Sequence, residues 1–422
     1  MTSTSTVQTV SWSAKIVWLD TAIRLVLLVY IASLPFKPLL VVERNGFLVL
    51  LVLLLLWCLG NRKLFFVKTP HDKALFAFAL WVGITIPFAT FPEYSLKEYG
   101  KLLQWVVVFY AVLYFLGGRP YREILLGALA GGAALITLYG LTQFNLTNPQ
   151  SIVSFFPAEV WLTTFLVIAI PFALVAALGP VPPMVRGAGG VLLLLSIFCL
   201  ISTQSRAGLV ALSAELLAIA WILGSRRAKL VTGLILVCLL GAVALAYWDK
   251  QSRNPSAVEQ PSIPVRTGTE TMVHRLDIWK FTFSEIAKHW LVGIGYGGQT
   301  YLRIYGPEGE MVEPGHASVK DRGTHNILLY LSLHVGVVGA ALFLWFYGRA
   351  MWVTLLEYRR AIEWKSQLVL AGMVGSMIGL FVRLQLDQMF VGSLAILFWV
   401  LLATSVLHYP PVSPAVINRV AE

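Results

Sequence analysis

Charge is scarce in this 422-residue chain. Asp, Glu, Lys and Arg make up 13% of it, against 58% hydrophobic residues and a mean hydropathy of +0.76, whereas a soluble domain is roughly a quarter charged. That scarcity excludes water as the main solvent of the folded chain. Cysteine is nearly missing. Cys58, Cys199 and Cys238 lie far apart inside apolar runs, without His or Cys neighbours at metal-ligand spacing, and read as small core residues. Neither G-x-x-x-x-G-K-[ST] nor H-E-x-x-H occurs, so nucleotide hydrolysis and zinc hydrolysis are not encoded in familiar form. Glu308, Glu310 and Glu313 fall in a polar loop and read as solvated, which leaves no acidic cluster to hold a divalent metal. Apolar–polar alternation is also lacking in runs such as 47–56, which excludes a transmembrane β-barrel.

What is present is apolar sequence in long runs. Stretches of roughly 17 to 25 residues recur from end to end, each able to cross a hydrocarbon core about 30 Å thick. They predict an all-α polytopic membrane protein of about twelve transmembrane helices, near 17–35, 45–60, 73–90, 100–117, 122–143, 159–179, 187–203, 206–224, 229–248, 325–348, 366–386 and 390–408. The first run follows a Ser/Thr-rich stretch and has no A-x-A cleavage signal after it, so it is expected to remain as the first helix.

The formal net charge of +11 reports topology rather than nucleic-acid binding, because the basic residues gather in alternate short connections. Arg62, Lys63 and Lys68, then Arg119 and Arg122, then Arg186, then Arg226, Arg227 and Lys229, then Arg349, Arg359, Arg360 and Lys365 fall on one side. The connection 144–158 on the other side has none. Both termini are therefore expected in the cytoplasm.

One connection is long. Residues 249–323 are hydrophilic, with acidic residues balancing basic ones, and the same count places them outside as a small helical cap between spans 9 and 10. The chain thus divides into membrane helices over 1–248, a cap over 249–323, and the last spans with a tail over 324–422. Within the cap, 251–269 reads as extended. An amphipathic helix is predicted over 270–290, with Leu276, Trp279, Lys280 and Phe283 at helical spacing. Gly293, Gly295, Gly297 and Gly298 mark a turn, and 306–323 reads as polar loop.

Several polar residues stand where they could carry chemistry. Arg206 lies in Ser-Thr-Gln-Ser-Arg-Ala-Gly between two apolar runs, too short a break to leave the membrane surface. An arginine there is costly unless paired or hydrated, which marks it as a functional candidate; the bland alternative is snorkelling to the headgroups. Arg275 begins the amphipathic helix, and Asp277 two residues on points to another face, leaving the guanidinium free for a different anion or simply solvated. His325 and Asn326 open a long apolar helix at the outer boundary, where an imidazole can take a proton from a hydroxyl or merely cap the helix. On a continuous helix His334, nine residues further, points to the opposite face, so a shared metal site is not expected. Asp387, four residues after Arg383, could form a structural ion pair or orient a catalytic group.

Four motifs in order, Ser-Thr-Gln-Ser-Arg-Ala-Gly, His-Arg-Leu-Asp-Ile-Trp, Leu-Val-Gly-Ile-Gly-Tyr-Gly and Thr-His-Asn-Ile-Leu, resemble the O-antigen ligase and polymerase superfamily, most closely its O-antigen ligases. The resemblance implies a membrane-embedded glycosyltransferase of the C type with a periplasmic cap, in a bacterial inner membrane. It implies transfer of O-antigen from undecaprenyl diphosphate to the lipid A-core oligosaccharide, without a cofactor, metal or nucleic-acid partner. Arg206 and Arg275 would hold the diphosphate and His325 would be the base, with Gln204, Asn326 and Asp387 in the substrate site. His334 departs from the acidic or amide residue of many relatives. The nearest rival is an O-antigen polymerase; a transporter is the rival from another class, against which stands the lack of an internal repeat.

Overall fold

The computed structural model of the chain describes residues 12–145, 151–253, 268–306, 323–387 and 392–409, and among these every regular element is a helix. The long helices are α1 (Trp12–Ser33), α2 (Leu40–Asn61), α3 (Asp72–Thr85), α4 (Pro92–Phe115), α5 (Arg119–Thr142), α6 (Glu159–Leu178), α7 (Pro183–Ser202), α8 (Arg206–Leu223) and α9 (Arg226–Arg253). They are followed by α10 (Gly268–Lys288), the short α11 (Thr300–Tyr305), α12 (Ile327–Arg360), α13 (Trp364–Leu386) and α14 (Gly392–Leu407). Most described residues of each apolar run read from the sequence lie on these helices. Among the described residues, seven are long and apolar enough to cross a membrane: α2 with its leading turn, α5, α6, α7, α8, α12 and α13. The protein is an all-α polytopic membrane protein.

Burial sorts the helices into centre and periphery. α6 and α13 are mostly enclosed, whereas α2 leaves Val41, Leu48, Val52, Leu55 and Leu59 exposed. In an apolar solvent an exposed leucine costs nothing, so close packing must come from shape, and small residues let backbones approach. α13 supplies Gly372 against Phe172, Gly375 against Pro171 and Ile219, and Gly379 against Glu215. Those last two contacts also set a register. Residue 219 meets 375 and 215 meets 379, so α8 and α13 run antiparallel. At 1.5 Å per residue, Arg206 at the start of α8 then stands level with the end of α13 at Asp387.

Three expectations are corrected here. The run 73–90 is not one helix: α3 ends at Thr85 and passes into a 3-10 turn, Ile86–Phe88, at Pro87, which has no N–H to continue the ladder. The run 325–348 is broken as well. Val335 (φ −130°) and Gly336 (φ +76°) leave helical geometry, so α12 consists of a short helix over 327–334 and a long one from 337. Finally, 251–269 is not extended throughout, since α9 continues to Arg253 and α10 begins at Gly268; 254–267 lie outside the described residues, as do 307–322 of the expected polar loop.

The break in α12 explains the glycine-rich turn. A broken helix leaves carbonyls without partners, and in a membrane protein each must be satisfied internally. Ile294 N donates to Leu333 O (2.8 Å), Gly295 N to His334 O (3.0 Å), and Val337 N donates back to Trp290 O (2.8 Å). The Trp81 indole takes the Val335 carbonyl (2.9 Å). Only glycine fits where the two backbones meet: at Gly336 a Cβ would run into the Leu291 carbonyl, and Gly293 faces the His334 backbone at φ +74°.

The described part of the cap has a core of its own. Ile286, Ile294, Tyr301, Ile304 and Tyr305 pack on Leu329 and Leu333 of the short helix 327–334. The helix read as 270–290 is α10, Gly268–Lys288. Ile278, Thr282, Glu285 and Ile286 are buried, while Leu276 and Phe283 point outward. Cys238 is likewise exposed on α9 rather than part of the core; Cys199 is buried and Cys58 half-buried.

Candidate active site

The site is built where four helix ends meet. At the first, α7 closes at Ser202 and α8 opens at Arg206 through a turn in which Gln204 takes φ +56° and the Ser205 hydroxyl caps Gly208 N (3.2 Å). Thr203 is buried and accepts from the Thr163 hydroxyl of α6 (3.0 Å), which anchors the turn while Gln204 and Arg206 stay exposed. Arg206 forms no ion pair among the described residues.

At the second, α10 is pinned to the chain entering α12 by the Trp279 indole, which donates to the Thr324 carbonyl (3.1 Å). Arg275 precedes Trp279 by four residues and so shares its face of the helix. It is half-buried and forms no ion pair among the described residues, while Asp277 goes to Lys280 (3.8 Å).

At the third end, Gly323 (φ +77°) and His325 (φ +49°) turn the chain sharply before Asn326 caps the short helix. The Asn326 Oδ1 accepts from Leu328 N (2.9 Å) and Leu329 N (3.1 Å), and its Nδ2 donates to Gln385 O (3.3 Å). The side chain is thereby committed to holding α12 against α13. A histidine in left-handed geometry is strained, and such strain gathers at functional sites.

The fourth end brings Asp387, the C-cap of α13, to 3.6 Å from His325 Nδ1 and 3.4 Å from Arg383 Nη2. His325 Nδ1 is just beyond hydrogen-bonding distance, so a few tenths of an ångström would close the contact. Burial alone would raise the Asp387 carboxyl, but the imidazole and the Arg383 guanidinium outweigh it and hold the group below its ordinary value. Arg383 itself is 2% exposed, and its Nε and Nη1 have no hydrogen-bond partner among the described residues. The charge of Arg275 is close enough to bear on it. A buried guanidinium with N–H groups unspent, within electrostatic reach of a second, makes a place for an anion.

The structure therefore brings His325, Asn326, Asp387 and Arg275 together, with Arg206 at the same level. In the sequence Arg383 reads only as the partner of Asp387; its unspent N–H groups follow from how deeply α13 is enclosed. His334 lies apart, buried, with Nδ1 on Tyr330 O (2.7 Å) and its ring stacked on Tyr330. It belongs to the broken turn of α12, so its relation to His325 is not that of two positions on one helix.

A cavity of about 1020 Å³ opens at the same end of the bundle, but it does not reach the arginines. Its wall includes Ile327, Tyr330 and Leu331, so the short helix that follows His325 has the cap core on one face and this cavity on the other. Tyr296 lines it, whereas Tyr301 is buried in the cap core.

Residues 191–344 match the family model described as O-antigen ligase. The matched stretch runs from α7 into α12 and contains Arg206, Arg275 and His325; Arg383 and Asp387 lie beyond it. No curated protein matches the chain. That match, over the stretch that holds Arg206, Arg275 and His325, supports a place for this part of the chain in the O-antigen ligase and polymerase superfamily.

Proposed function

We propose that the protein is an O-antigen ligase, which transfers O-antigen polysaccharide from undecaprenyl diphosphate to the lipid A-core oligosaccharide at the periplasmic face of the inner membrane. The observation that carries this reading is the pairing of His325 with Asp387 beside guanidinium groups whose hydrogen-bonding capacity is unspent. A glycosyl diphosphate already has a good leaving group, so the protein's task is to hold it and stabilise the charge that develops as it departs. Arg206, Arg275 and Arg383 can do that through charge-assisted hydrogen bonds, without a metal ion.

The acceptor hydroxyl attacks the anomeric carbon from the face opposite the diphosphate. Its oxygen forms the new bond as the bond to the phosphate oxygen breaks, and configuration inverts. His325 takes the hydroxyl proton as a general base. Asp387 acts as a positioning residue: it turns the imidazole and stabilises the imidazolium that forms, while Arg383 keeps it ionised. Asn326 holds the loop, and Gln204 places Arg206. Undecaprenyl diphosphate leaves with both phosphates, and the proton on His325 passes to water.

The test is transfer by purified protein from undecaprenyl-diphosphate glycan to rough lipopolysaccharide, comparing wild type with His325→Ala. A ladder of glycosylated product from wild type alone supports the reading. Extension of the lipid-linked glycan with no product on lipopolysaccharide would replace the ligase by a polymerase.

A further inference from the structure

A transfer between two lipid-anchored molecules needs two places to put them, and the arginine cluster supplies only one. On the other side of the short helix 327–334, the cavity has an uneven charge. Lys37, Arg44, Lys97, Lys101 and Arg303 line it, against Glu43 and Glu98. Glu98 is paired with Lys101 (2.5 Å), and Glu43 accepts a hydrogen bond from Ser393 (2.7 Å). Arg303 lies over the Tyr94 ring at 4.4 Å. Lys37 and Lys97 form no ion pair among the described residues. Such a rim attracts anions, and an ammonium group is a point charge suited to phosphate.

Deeper in, the wall is aromatic: Phe78, Trp105, Phe343, Phe346, Phe398 and Trp399. Cationic rim over aromatic floor matches a molecule with a phosphorylated sugar head and an apolar body, and the volume is that of a site for a ligand of drug size or above. Ile327 and Gly392 place the cavity within a few residues of His325 and Asp387 along the chain.

We propose that this cavity binds the second substrate of the transfer, a phosphorylated, lipid-anchored glycan whose hydroxyl is presented to His325 while the diphosphate donor is held by the arginines. The proposal rests on the glycosyl-transfer reading. Lys37 and Lys97 are the residues that recognise its phosphate.

The experiment uses the full chain in nanodiscs and measures steady-state kinetics against each substrate separately, with native and enzymatically dephosphorylated rough lipopolysaccharide as acceptors. The double variant Lys37→Gln/Lys97→Gln should raise the KM for phosphorylated acceptor about tenfold, equivalent to roughly 1.4 kcal/mol. The donor KM should stay as it was, the dephosphorylated acceptor should lose its sensitivity to the change, and Lys37→Arg/Lys97→Arg should restore most of the affinity. A rise in donor KM instead, or equal sensitivity with both acceptors, would overturn the proposal. So would phosphatidylglycerol competing as well as rough lipopolysaccharide in direct binding, since the site would then hold ordinary membrane lipid. Direct binding of rough lipopolysaccharide to wild type, weakened by the double variant, supports the site even where transfer is not observed, and absence of transfer alone counts against the enzymatic reading.

Discussion

The two ends of the helix bundle differ in how they use particular arginines. At the end expected in the cytoplasm several basic residues tie helix ends together. Arg24 donates to Phe115 O (3.1 Å), Arg122 to Leu407 O (2.7 Å) and Arg349 to Pro70 O (2.6 Å), while Arg360 meets Glu357 (2.8 Å) and Lys365 meets Glu123 (2.5 Å). At the other end, among the described residues, Arg206 and Arg275 form no ion pair, and Arg383 keeps two nitrogens unspent though almost wholly buried. Leaving buried N–H groups of a guanidinium without partners is costly, so Arg383 is held in this state only at the expense of other contacts. Charge that ties helix ends together is spent within the protein; charge left over is available to a ligand.

That contrast can be broken most severely by removing the unspent charge. Arg206→Ala and Arg275→Ala should each lower the rate of glycan transfer at least about a hundredfold while the protein still inserts and elutes as wild type; near-normal rates would remove that residue from the site. Asp387→Asn should cost nearly as much in rate and also lower the melting temperature, because it leaves Arg383 buried without its anion. The pH dependence has a definite sign. Asp387 is held below its ordinary value, so its contribution is complete above the usual carboxylate range and is lost as pH falls through the depressed value. Thermal melts of wild type should lose stability there, and those of Asp387→Asn should be flatter.

Smaller effects probe the scaffold under the site. Gly336→Ala puts a side chain at φ +76° against the Leu291 carbonyl and should destabilise by about 1–3 kcal/mol, seen as a lower melting temperature. Trp279→Phe keeps the packing but removes the donor to Thr324 O, for about 1 kcal/mol. Its rate should fall more than its stability, because Arg275 and His325 lose their common tether. Least of all, Lys365→Ala at the paired end should leave transfer unchanged, and Cys58→Ser should do little to rate or folding. A large loss of rate from Lys365→Ala would end the distinction between the two ends.

Much of this was legible without the fold. Long apolar runs without alternation dictate helices, because a helix satisfies its own backbone within one segment in lipid, and Arg206 and His325 stand out because each interrupts or borders such a run, whereas Arg275 is marked chiefly by the family resemblance. The misreadings have local causes. Periodicity reports that a face exists but not which neighbour it meets: Leu276 and Phe283 mark helical spacing on α10, and Ile278 and Ile286 are the buried ones. An apolar run likewise gives no sign of a break within it, and the one at Val335–Gly336 is set by the turn around Gly293 that docks there.

The sequence by itself determined the solvent, the helical class and the residues worth watching, since hydropathy and the price of stray charge in a membrane are properties of the chain alone. Tertiary structure alone decided which of those residues meet. The antiparallel register of α8 and α13 sets Arg206 level with Asp387, the left-handed turn at Gly323 and His325 brings the imidazole to that aspartate, and the enclosure of α13 leaves Arg383 buried with hydrogen bonds to give. Each depends on distances between segments far apart in the chain, and packing fixes those distances where local composition cannot.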